Sequence, residues 1–138
     1  MFRAIRLADE YTVTNSSELA GTTKVSDDTR RWLLIDYTNG DENYIDVLLS
    51  IQHRDMLVKR KPLGDGTYGD SEESTSWFQL STFLEQGVNN TDPTKIRLDA
   101  DTVIAIPLQL PHGAQNVGCF VQADGAGAGA GTISTWLV

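Results

Sequence analysis

Few side chains in this sequence combine the type and spacing that covalent or metal chemistry demands. There are two histidines, His53 and His112, and one cysteine, Cys119. A histidine–carboxylate metal centre needs two or three histidines brought together from neighbouring strands. Neither histidine has a second His or Cys close by in sequence, so both read as surface residues. Cys119 falls within an alternating apolar run and reads as a small buried hydrophobe. A nucleophilic role would require a neighbouring base, and the sequence identifies none. A lone cysteine also excludes an internal disulfide and a multi-cysteine zinc site. Carboxylates are plentiful: Asp27, Asp28, Asp41, Glu42, Asp65, Asp70, Glu72, Glu73, Asp99 and Asp101. A glycosidase places two of them across a cleft, which spacing alone does not establish. Asp65 and Asp70 lack the alternating acids of an EF-hand loop. These acids read as solvated turn residues that keep strand edges apart. The expectation is therefore no catalytic residue, no metal site and no cofactor.

Two other features could carry binding. Residues 125–131 read GAGAGAG. A phosphate loop needs a lysine and a following helix, but Thr132, Ile133 and Ser134 read as strand and no lysine lies beyond Lys95. The run is then either a hairpin tip or an extended segment with one bare face that another backbone can approach closely. The tryptophans are Trp32, Trp77 and Trp136. Trp32 sits in the most apolar stretch and reads as core. Trp77 and Trp136 fall opposite the main apolar sets of their strands, as second-layer core, subunit contact or sugar platform. Aromatic enrichment at interfaces favours subunit contact.

The elements that must position these residues are strands. In 44–52, Ile45, Val47, Leu49 and Ile51 share one face, the period of two that a half-buried strand requires. The same alternation runs through Ile104, Ile106, Leu108 and Leu110, then Val117, Cys119, Val121 and Ala123, then Ile133, Thr135 and Leu137. Residues 76–84 place Phe78, Leu80 and Leu84 opposite Trp77 and Phe83. Residues 31–37 are apolar on both faces, which predicts a central strand. Asn39-Gly40 reads as a hairpin marker, and Asp92-Pro93 and Pro111-His112-Gly113 as chain breaks. Residues 1–29 open with a possible strand over 2–13 and then turn polar, as an arm leaving the domain would. Residues 61–75 read as a long loop. Seven or eight strands without a helical stretch of ten residues predict an all-β fold, an antiparallel β-sandwich or small barrel.

Bulk properties fit one such domain. The chain has 138 residues, 40% of them hydrophobic and 22% charged, with a net charge of −8. That length supports a single core, and that composition excludes a wholly disordered chain. The acidic balance repels phosphate backbones, so nucleic acid is not an expected partner. Arg3, Arg6, Asp9 and Glu10 interrupt the N-terminal apolar residues, so no signal-peptide core is expected. The longest apolar run, 103–108, is far short of the roughly 20 residues of a membrane span. A soluble protein made in the cytoplasm is expected, with no membrane partner.

The run Val103-Ile104-Ala105-Ile106-Pro107-Leu108-Gln109-Leu110-Pro111, a turn with Gly113, and then Val117-Gly118-Cys119-Phe120-Val121-Gln122 resembles the closing strands of small jelly-roll decoration, or cement, proteins of tailed bacteriophage capsids. The resemblance covers about residues 30–138. It implies a jelly-roll sandwich over 30–138 with residues 1–29 as an N-terminal arm. It further implies a homo-oligomer, commonly a trimer, on the capsid exterior, with the major capsid protein as partner and no catalysis. Phe2, Ile5 and Leu7 would supply the arm's contacts, and Trp77 and Trp136 those of the domain. The runner-up is a receptor- or glycan-binding sandwich of a phage fibre or baseplate, stacking sugars on Trp77, Trp136 or Tyr68. A third is a jelly-roll enzyme such as a cupin-like isomerase or a polysaccharide lyase, disfavoured by the lack of a histidine cluster or nucleophile motif. Sandwiches host all three, so fold does not decide among them.

Overall fold

The computed structural model describes residues 4–25, 32–53, 58–62, 68–73, 77–80, 95–125, 127 and 129–138. Phe2, Asp27, Asp28, Asp65 and the Asp92-Pro93 break lie outside these residues. In chain order the strands are β1 (Ile5–Thr12), β2 (Glu18–Lys24), β3 (Trp32–Thr38), β4 (Tyr44–His53), β5 (Val58–Pro62), β6 (Tyr68–Glu73), β7 (Phe78–Gln79), β8 (Ile96–Leu98), β9 (Thr102–Pro107), β10 (Ala114–Asp124) and β11 (Thr132–Leu137). No helix occurs among the described residues.

Two antiparallel sheets pack face to face as a β-sandwich. Sheet A has the order β1-β11-β3-β9, and sheet B the order β2-β10-β4-β7 with β8 also pairing β4. The first half of the chain pairs with the second: β1 with β11, β2 with β10, β3 with β9, and β4 with β7 and β8. The ribbon so formed wraps over, which adds β11 to β3 and β10 to β4. Alternation fills the space between the sheets. Ile45, Val47, Leu49, Val117, Cys119, Val121, Leu33, Ile35, Tyr37, Ile133 and Leu137 are each at most 1% exposed. Each fully buried aliphatic side chain contributes about 1.5–3 kcal/mol, and that is what holds the two sheets together.

Several expectations are corrected. The segment 1–29 is not an arm over its described part. Its residues 5–24 supply one strand to each sheet, with Leu7 and Val13 in the core. β2 escapes a period-two reading because ELAGTTK is a weakly alternating, mostly polar edge strand. The stretch 61–75, expected as a loop, contains most of a β5–β6 ribbon in which Lys59 pairs Glu72 and Pro62 pairs Tyr68. Asn39-Gly40 does not close a hairpin. It carries the chain from β3 in sheet A to β4 in sheet B. Trp32 is not core but 45% exposed, because Leu33, Ile35 and Tyr37 take the inward positions of β3 and alternation turns Trp32 out.

Candidate functional site: the outward face of sheet A

β3 is interior to its sheet, lying between β11 and β9, and its second apolar face points outward. Register assembles that face in rows. Arg6 pairs Trp136, Trp136 pairs Leu34, and Leu34 pairs Ala105. In the row on one side, Val138 and Trp32 exchange two backbone hydrogen bonds of 3.0 Å, and Trp32 pairs Pro107. On the other side, Ser134 pairs Asp36 and Asp36 pairs Val103. Val103 is 84% exposed. The Arg6 guanidinium lies 4.9 Å over the Trp136 ring and also pairs with Asp9. Ala4, Leu34, Val103, Ala105 and Trp136 line a shallow hollow of about 470 Å³ on this face, with Asp36 at its side.

The two edges of sheet A differ. β1 carries two register shifts and a positive backbone angle, φ 44°, at Glu10. Such bulges twist an edge away from further pairing. β9 pairs β3 in unbroken register, is the last strand of the sheet among the described residues, and carries no charged residue. Among the described residues, the hollow on this face is lined chiefly by apolar side chains. What it can do is bury apolar surface against another protein.

The residues expected to make contacts are dispersed. Trp136 is on this face, half-buried. Ile5 lies opposite Leu137, half-buried on the inward side. Leu7 is 4% exposed within the domain's own core, so its side chain is not available to a partner. Trp77 lies over the outward face of sheet B, where its ring meets Phe120 edge-on with centroids 5.6 Å apart. Trp77 and Trp136 therefore belong to opposite faces of the sandwich and do not form one stacking platform. Trp32, Leu34 and Val103 were missed. The available signal was β3 itself, since a stretch apolar on both sides inside a two-layer fold leaves one side for a partner.

Several other chemistry-bearing residues make contacts within the fold. Glu42 is a buried carboxylate, 3% exposed. It accepts hydrogen bonds from the Tyr37 hydroxyl at 2.7 Å, the Gly131 amide at 2.9 Å and the Gly40 amide at 3.1 Å. Burial alone would raise its pKa, but these donors outweigh burial and hold it below the ordinary carboxylate value. Burial, followed by the Glu42 hydrogen bond and charge, pushes the Tyr37 phenol far above its ordinary value. Asp41 binds the other half of the same loop: its amide donates to the Gly129 carbonyl, and its carboxylate accepts from the Gly129 amide, both at 2.9 Å. A side chain at Gly40 would collide with the Gly129 carbonyl. The close backbone approach that the Gly-Ala run permits is thus made within the chain, against the β3–β4 loop. Burial pushes the Cys119 thiol up to about 12, a shift only partly offset by a hydrogen bond with Thr135. At neutral pH it is therefore not a thiolate nucleophile. The Nε2 of His53 lies 2.9 Å from the His112 carbonyl oxygen. The fold thus brings the two histidines to one end of the sandwich through a backbone group. Among the described residues no cluster of three His, Cys, Asp or Glu is placed to hold a metal ion. Comparison with protein-family models, with curated protein sequences and with solved structures finds no match to this chain.

Proposed function

We propose that this protein is a structural subunit that acts through contact, decorating or cementing a bacteriophage capsid from the outside. One observation carries the contact role: the interior strand β3 turns Trp32 and Leu34 outward into rows completed by Val103, Ala105 and Trp136. Interface centres are depleted in charge and enriched in aromatic residues and arginine. This face has two tryptophans, with Arg6 stacked on one of them. The strand orders β1-β11-β3-β9 and β2-β10-β4-β7 support a jelly-roll connectivity, the architecture of many viral capsid domains. Lectins and cupins share that architecture, so the capsid assignment rests on the sequence resemblance, with the major capsid protein as partner. The apolar rows and β9, an edge strand among the described residues, suit a homo-oligomer, with a trimer favoured. The acidic chain gives nucleic acid no electrostatic hold. A glycan-binding role on a fibre or baseplate is the second reading, favoured by the groove lined by Trp77 and Phe120 on sheet B.

The test is Val103→Lys. This side chain is 84% exposed, so the fold tolerates the change. Burying one valine at an interface contributes about 2 kcal/mol, roughly 30-fold in affinity. Sedimentation velocity should find the wild type associated at micromolar concentration and the variant dissociated. A wild type that stays monomeric at every concentration, and binds particles no better than the variant, removes the proposal.

A further inference from the structure

We propose that a groove on the outward face of sheet B binds a single neutral sugar ring. Strand alternation places Leu48 and Ser50 of β4 and Gly118 and Phe120 of β10 on this face. Register sets Phe120 beside Leu48, and Ser50 between Gly118 and Gln79. The bare Gly118 leaves room for the Trp77 ring. A Cβ there would stand 2.9 Å from Trp77 Cζ3 and 3.0 Å from Leu19 Cδ1. Trp77 and Phe120 then meet at 79°, and together with Ser17, Leu48, Ser50 and Gln79 they enclose about 260 Å³.

Ser50 points to a ligand. It is only 3% exposed, it lines the groove, and its hydroxyl has no hydrogen-bond partner among the described residues. Buried polar groups are almost always paired, and an unpaired one is destabilising. A ligand hydroxyl in the groove would supply the missing partner. The chemistry of the walls narrows the class. Every described lining residue is neutral, and the chain carries a net charge of −8, which disfavours phosphate and carboxylate ligands. No described carboxylate lines the groove to attract a cation. Two aromatic rings give an apolar wall, while two hydroxyls and an amide give donors and acceptors. A sugar ring has this division, with an apolar C–H surface and a rim of hydroxyls. The volume lies just under the roughly 300–1,000 Å³ of drug-sized sites, which suits one ring. A purely apolar occupant would leave Ser50 unpaired.

The experiment is ligand titration of the full chain, followed by NMR through the Trp77 indole resonance, which Trp77→Phe assigns. Galactose, glucose, mannose and N-acetylglucosamine are the probes, with sialic acid and indole as charged and apolar comparators. At least one neutral sugar should bind in the millimolar range and move the Trp77 resonance. Ser50→Ala should fold at least as stably as wild type, because it removes an unpaired hydroxyl, yet bind that sugar roughly 5- to 10-fold more weakly. Val103→Lys should bind it unchanged, which separates this site from the contact face of sheet A. Silence from all four sugars overturns the proposal, as does tighter binding of sialic acid or indole, or an undiminished affinity in Ser50→Ala.

Discussion

Glu42 offers the sharpest test of how the sandwich is held at one end. Its carboxylate joins the β3–β4 loop to the β10–β11 loop by accepting from Tyr37, Gly40 and Gly131. Glu42→Ala removes the acceptor and leaves the Gly131 amide, itself in a buried residue, without its partner. Each hydrogen bond to a charged group is worth about 1.5–3 kcal/mol, and an orphaned buried donor costs about 1–3 kcal/mol. Tyr37 keeps a second contact at 2.8 Å with Asn39, which limits the loss. A net cost of about 3 kcal/mol is expected. With an unfolding entropy of roughly 2.1 cal/mol/K per residue, that lowers Tm by about 10 °C. The loss is pH-dependent, and its sign follows from the direction of the shift. The folded carboxyl titrates below its ordinary 4.5, so its stabilisation is complete above that value and disappears as pH falls through the lower folded value. The assay is calorimetry of wild type and Glu42→Ala at a series of pH values. The gap in Tm should be full at pH 7 and shrink below about pH 4.5. A gap of a degree or two at pH 7, or one that widens in acid, would refute this account of the loop junction.

Four further outcomes follow from single residues. Cys119, its thiol pushed up to about 12, should not react with an aromatic disulfide reagent at pH 8 until the chain unfolds, so rapid modification of the native protein would contradict its burial. The same shift makes stability fall as pH rises above the thiol's ordinary 9.0, since the unfolded chain releases that proton first; titrating wild type against Cys119→Ala isolates the effect. Gly40→Ala should destabilise the fold by several kcal/mol through collision with the Gly129 carbonyl, and denaturant unfolding with a wild-type midpoint would disprove the close approach. Arg97 reaches both Asp46 oxygens at 2.9 and 3.0 Å and lies 3.8 Å over the Tyr44 ring. It is partly exposed, so Arg97→Ala should cost only about 1 kcal/mol, a few degrees in Tm.

The core strands were legible because burial on one side writes a period of two. β4 and β10 announce themselves through Ile45, Val47, Leu49 and Val117, Cys119, Val121. β2 was not legible, because an edge strand paired along one side satisfies its backbone without needing apolar alternation. The β5–β6 ribbon lies off both sheets, and its polar residues carry no core signal. Asn39-Gly40 misled for a different reason. Gly40 is required by the nearby Gly129 carbonyl, a contact 89 residues away in sequence, and not by turn geometry. The contact face was half legible. The two-sided apolarity of 31–37 is visible in the sequence, where it predicts burial on both sides and Trp32 in the core, whereas Trp32 is 45% exposed. Whether the second side is covered depends on what lies across it, and pattern alone does not carry that. Ser50 was hidden in the same way. A serine at an outward strand position looks solvated until Trp77 and Phe120 are known to stand over it.

The proposed role makes this chain a stoichiometric surface component of a virus particle. Quantitative mass spectrometry of purified particles tests it most directly, measuring this chain against the major capsid protein and comparing wild type with Val103→Lys. A fixed copy ratio for wild type, and a large drop for the variant, is the expected result. Particles that contain no more than trace amounts, or that retain wild type and variant equally, would contradict it.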